Sequence, residues 1–152
     1  MNWKNNTLLN PVVTKKLSVI DKKVVSLQHV FTKNLPIMEI DILLEYNNRG
    51  QLRQWLEVNH STEPHCWVAV YRGKTPMSNA LPYLVVVEEC LCFGWIDSTL
   101  KRLPDGRLAQ RISPRRKNSH WTERNLARVR DLEQRGLMTP SGLQAAAKRN
   151  DN

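Results

Sequence analysis

The chain has 152 residues, 41% hydrophobic and 24% charged, a length and balance that suit one folded, soluble domain. No apolar run approaches the roughly 20 residues that cross a bilayer, and no basic, then apolar, signal-peptide pattern opens the chain. Cys66, Cys90 and Cys92 are an odd number in a chain large enough to build a core, which argues against a disulfide scaffold and for a reducing, cytoplasmic setting.

The net charge of +9 is unevenly spread. Residues 1–37 carry six lysines against one aspartate, with no glycine, no arginine and no sustained helical or alternating apolar spacing. That composition reads as a basic N-terminal extension, either a poorly ordered leader before a natural start at Met38 or a tail that binds a partner. Residues 38–152 then form a single domain. Within it, residues 38–100 are net −4 and residues 101–152 net +8, so the last third suits an anionic partner.

Glu39-Ile40-Asp41-Ile42-Leu43-Leu44 alternates briefly, as a strand does. Asn47 or Asn48 caps a helix that carries Leu52, Trp55 and Leu56 at spacings of three and one. The strand formers of His65–Tyr71 follow, stopped by Arg72-Gly73-Lys74, and the proline-bearing segment 75–82 reads as a loop. Residues 83–93 are ambiguous. Tyr83 to Val87 favour a strand on propensity, but Tyr83, Val86, Val87, Cys90 and Leu91 share one helical face. Glu88 and Glu89 suit an exposed helical face and Gly94 a helix stop, so helix is preferred, with positive φ at Gly94.

Trp95–Leu103 and Arg107–Ile112 flank Pro104-Asp105-Gly106, a hairpin turn signal. Ser119 or Thr122 caps a helix to about Gln134, with Leu126, Val129 and Leu132 inward and Gly136 as its end. Thr139-Pro140 opens a last helix containing Leu143 and Ala145 to Ala147. The expected class is α+β: a small antiparallel sheet with helices packed on one face.

Trp55-Leu56-x3-His60, Trp67-x3-Tyr71, Cys92-Phe93-Gly94-Trp95-Ile96-Asp97, Pro114-Arg115-Arg116, Ser119-x-Trp121-Thr122 and Gly136-Leu137-Met138-Thr139 occur in this order. Together they resemble the bacterial YdeI or OmpD-associated family, the bacteriocin-protection-like proteins, over about residues 40–148. The resemblance implies a grouping with YjbR/CyaY-like α+β proteins and a role in antimicrobial-peptide tolerance or stress response, without a known reaction. Frataxin-like members of the wider group bind iron through an acidic ridge. The acidic residues here are scattered, so iron binding is not carried over.

The residues themselves offer one binding constellation. Trp95 and Asp97 follow a helix stop, and Arg115, Arg116, Ser119 and Trp121 follow the hairpin's return strand. Arginine forks, hydroxyls and a helix N-terminus suit phosphate or carboxylate. The expectation is an arginine–tryptophan cleft at the start of the helix that begins near Ser119, with Asp97 orienting an arginine. Its alternative is a solvated loop whose arginines pair with Asp97, Glu88 or Glu89. The basic 101–130 segment also admits nucleic acid, although no helix-turn-helix, zinc finger or RNA-binding signature is present. The first reading is non-enzymatic; an enzyme acting on a small anionic substrate, bound by Arg115 and Arg116 with Asp97 or His60 moving protons, is the third.

Cys92 with His60 or His65 as base is weighed as a nucleophile, against a buried cysteine between Leu91 and Phe93. His60, His65 and Cys66 lack the partners of a metal site, and no sequence pattern calls for a cofactor.

Overall fold

The computed structural model describes residues 39–150. The basic extension expected over residues 1–37 lies outside them. In chain order the elements are β1 (Leu43–Leu44), α1 (Arg49–Asn59), β2 (Cys66–Tyr71), β3 (Leu81–Pro82), α2 (Tyr83–Phe93), β4 (Trp95–Arg102), β5 (Leu108–Pro114), α3 (Glu123–Gln134) and α4 (Pro140–Ala147). The fold is α+β.

The helix over residues 83–93 overrides strand propensity because it is the centre of the helical layer. It packs on β4 and β2, and α1, α3 and α4 pack on it. A helix with neighbours on several sides tolerates apolar residues nearly all round, and Val86, Val87, Cys90, Leu91, Cys92 and Phe93 are all buried. Gly94 ends it at φ 71°, where a β-carbon would stand 2.9 Å from Ser141 O in α4. The positive φ and this close approach both call for glycine.

Cys66, Val68, Val70 and Ile112 join the helices in the core. The hairpin of β4 and β5 is antiparallel and β5 continues antiparallel to β2, with Val68 opposite Gln110 and Asp97 opposite Ile112. The sheet departs from the purely antiparallel expectation at its other edge. Here β1 and β3 each pair two residues parallel to β2, Leu43 opposite Trp67 and Leu81 opposite Val70. So the expected strand over 39–44 shortens to two residues, and the expected loop over 75–82 ends in a strand. Pro82 is tolerated there because β3 lies at the sheet edge.

Local caps hold the helices in place. Asn48 and Gln51 form a capping box on α1, and the Thr122 hydroxyl accepts from Asn125 N at the start of α3. Gly136, at φ 68°, follows the last turn of α3. Thr139 then caps α4 and also docks it, because its N and Oγ1 both donate to Cys92 O, at 3.0 and 2.5 Å.

Glu88 and Glu89 are not an exposed face. Glu89 is 0% exposed and bonds Arg49 and Arg53 of α1, and Glu88 accepts from Arg49 at 2.6 Å. Arg53 also donates to Leu137 O at 2.8 Å, which ties α1 and α2 to the segment between α3 and α4. Burial alone would lower the Arg49 pKa, but the two carboxylates outweigh it and raise it.

Candidate functional site

β4 begins and β5 ends side by side, because Arg115 N donates to Gly94 O at 3.0 Å. Beside this junction lie His60 and Ser61 at the end of α1 and the first two turns of α4. The space between them is a cleft of ≈ 520 Å³. Trp95, Arg115 and Arg116 line it, as do Lys117 and Lys148, so four cationic side chains surround one cavity. Among the described residues, none of those lining it is an aspartate or glutamate.

Arg115 is held in place. Its guanidinium lies 4.0 Å from the centre of the Trp121 ring. Its Nη1 donates to Ser119 Oγ at 3.2 Å and to His120 O at 3.1 Å. Its Nε is buried without a hydrogen-bond partner. Burial lowers the Arg115 pKa, opposed by Cys90 and Asp97. A partly desolvated guanidinium held in one orientation attracts an anion in the cleft more strongly than a freely hydrated one does.

The other residues of the expected constellation have different places. Ser119 and Trp121 do not line the cleft but brace Arg115 from behind. Trp95 is 1% exposed and forms part of the floor, its Nε1 donating to His60 O at 3.1 Å and its ring edge-on to Trp55. Asp97 does not orient an arginine. It points to the helical layer and accepts from Tyr83 OH at 2.6 Å, with Arg72 stacked on the Tyr83 ring. The cleft also opens on α4, away from the expected α3, whose N-terminus Thr122 already caps. Neither Glu88 nor Glu89 pairs with Arg115 or Arg116, since α1 supplies their arginines.

Sequence reasoning overlooked Ser141 and Lys148, and it gave His60 the wrong neighbour. His60 Nε2 lies 3.1 Å from Ser141 Oγ. Their separation of 81 positions leaves no local signal of this pairing. Cys92 is buried, and burial pushes its thiol and those of Cys66 and Cys90 up, away from the reactive thiolate form. His65 pairs with Asp41 at 2.8 Å. Among the described residues no three His, Cys, Asp or Glu side chains converge as metal ligands, and no helix is long and apolar enough to cross a membrane.

Fold and site together define a small α+β protein with a cationic cleft at the junction of its hairpin and last helix. Residues 44–145 match the family described as a domain of unknown function, DUF8412, and the chain belongs to that family. No curated protein and no solved structure matches it.

Proposed function

We propose that this chain binds a small anion, a phosphate, sulfate or carboxylate group, in the cleft, and that its contribution to antimicrobial-peptide tolerance runs through that ligand. The observation that carries the reading is the convergence of Arg115, Arg116, Lys117 and Lys148 on one cavity that has no lining carboxylate among the described residues, with Arg115 already immobilised. Pre-ordering a rotamer-rich side chain removes part of the entropic cost of binding. Antimicrobial peptides are mostly cationic, and such a cleft repels them, which favours an indirect role over sequestration. The peptide-tolerance part rests on the resemblance of the Cys92–Asp97, Pro114–Arg116 and Ser119–Thr122 blocks to the YdeI family.

The test is a thermal melt in inorganic phosphate against chloride at matched ionic strength. Phosphate at 100 times its Kd is expected to stabilise the fold by about 2.7 kcal/mol and so raise Tm, and Arg115→Ala to remove the rise. An equal rise in Arg115→Ala refutes the cleft as the site.

A further inference from the structure

Two groups in the cleft are left over by anion binding. His60, which follows α1, places Nδ1 2.8 Å from Leu56 O and Nε2 3.1 Å from Ser141 Oγ. A carbonyl oxygen only accepts, so Nδ1 carries the proton of that pair. When the ring is neutral its lone pair is therefore at Nε2, placed to accept from the Ser141 hydroxyl. The ring is also packed against Phe93, 5.3 Å between centres. Hydroxyl, imidazole and an orienting acceptor thus stand in series, the arrangement that activates a serine nucleophile. Ser141 is the second residue of α4, at the positive end of the helix dipole, and both Ser141 and His60 line the cationic cleft.

We infer that Ser141 is a nucleophile and His60 its general base, acting on carboxylic esters that carry a second, anionic group. The choice of an anionic ester rests on the anion-binding reading; the pairing of Ser141 with His60 does not. Ser141 Oγ bonds to the ester carbonyl carbon as its proton passes to His60 Nε2. The bond from that carbon to the alcohol oxygen breaks, and the alcohol leaves with the proton from Nε2. Water, deprotonated by the same nitrogen, then attacks the acyl carbon. The acid is released and the proton returns to Ser141 Oγ, so the enzyme is unchanged and one water is consumed. Arg115 and Arg116 hold the second anionic group and favour the charge that develops on the carbonyl oxygen.

A fluorophosphonate ester probe tests the nucleophile, since an activated serine displaces its fluoride and gains a mass adduct. The full chain is expected to be labelled at Ser141, with no adduct there in Ser141→Ala and labelling about 100-fold slower in His60→Gln, the low end of a general base's contribution. Absence of an adduct at Ser141, or an unchanged rate in His60→Gln, overturns the inference. Should His60→Gln fail to fold, selectivity decides: labelling of Ser141 over the chain's other serines supports the inference, and indiscriminate labelling overturns it. The mono-p-nitrophenyl ester of adipate, too long for ready anhydride closure, is then compared with neutral p-nitrophenyl hexanoate, with faster turnover above the enzyme-free rate expected for the anionic ester and loss of that preference in Arg115→Ala. The two readings fail separately. A phosphate-induced rise in Tm without a Ser141 adduct removes the nucleophile and leaves anion binding, whereas an adduct without that rise does the reverse.

Discussion

Gly142→Ala tests how α4 is held against α2, and with it the wall of the cleft. A β-carbon at Gly142 would stand 2.2 Å from Cys92 O and 2.7 Å from Leu91 O, both backbone atoms at the end of α2. Neither can swing aside as a side chain does, so α4 must retreat by about 1 Å, a gap that forfeits a quarter to a half of each dispersion contact it opens. The same retreat stretches the two hydrogen bonds from Thr139 N and Oγ1 to Cys92 O. Overpacking costs about 1–3 kcal/mol and each weakened hydrogen bond about 0.5–1 kcal/mol, against about 1 kcal/mol returned by the better helix propensity of alanine. The net loss is about 1–4 kcal/mol, and its centre at about 2.5 kcal/mol lowers Tm by about 5–10 °C in a chain of this length. Gly73→Ala is the control. Gly73 has φ 103° but nothing within 4 Å of an added β-carbon, so it reports backbone strain alone, about 1–2 kcal/mol. Calorimetry of both variants, with and without phosphate, separates the effects: Gly142→Ala is expected to lose stability and phosphate response together, because Ser141, Gln144 and Ala145 line the cleft. A Tm within about 3 °C of the parent chain for Gly142→Ala refutes the close packing inferred here.

Glu89→Ala is expected to cost about 3–5 kcal/mol by chemical denaturation, because it strips the buried carboxylate from Arg49 and Arg53; a loss below about 1 kcal/mol contradicts the network's role. Stability is also expected to fall on the alkaline side. Burial pushes the Tyr46 hydroxyl up to about 12 and raises the thiols of Cys66, Cys90 and Cys92, so these groups stay protonated when folded and release protons on unfolding. Their contribution is complete below the unfolded pKa values, about 8.5 for cysteine and 10 for tyrosine, and is lost as pH rises from there towards the folded ones. Melts at pH 8 and pH 11 check this, and an unchanged Tm contradicts it.

Elements whose signals lie within one helical turn were legible in the residues alone. A cap at Asn47 or Asn48, another at Ser119 or Thr122, Thr139-Pro140, Gly94 and the Pro104-Asp105-Gly106 turn each work through backbone groups a few positions away, so their chemistry is local. The structure selects Asn48, with Gln51, and Thr122. The α+β class and the approach of Trp95 to Arg115 followed from them, because a hairpin brings the residues at its two open ends together. Tertiary structure decided what those signals cannot reach. The helix over residues 83–93 was readable from its shared face and the Gly94 stop, but its burial nearly all round comes from the three other helices that cover it. Glu89 is buried because Arg49 and Arg53 arrive from α1. Two-residue strands such as β1 and β3 are too short to show a period and exist only where β2 offers free edge groups. The site divides in the same way. Arg115 and Arg116 were readable as a basic pair, but the residues around them depend on where α4 docks. Gly142 seats α4 on the last carbonyls of α2, and that contact sets Ser141 against His60 and Lys148 beside the arginines. Packing of elements distant in sequence is set by shape and burial summed over the whole core, and no local run of residues encodes it.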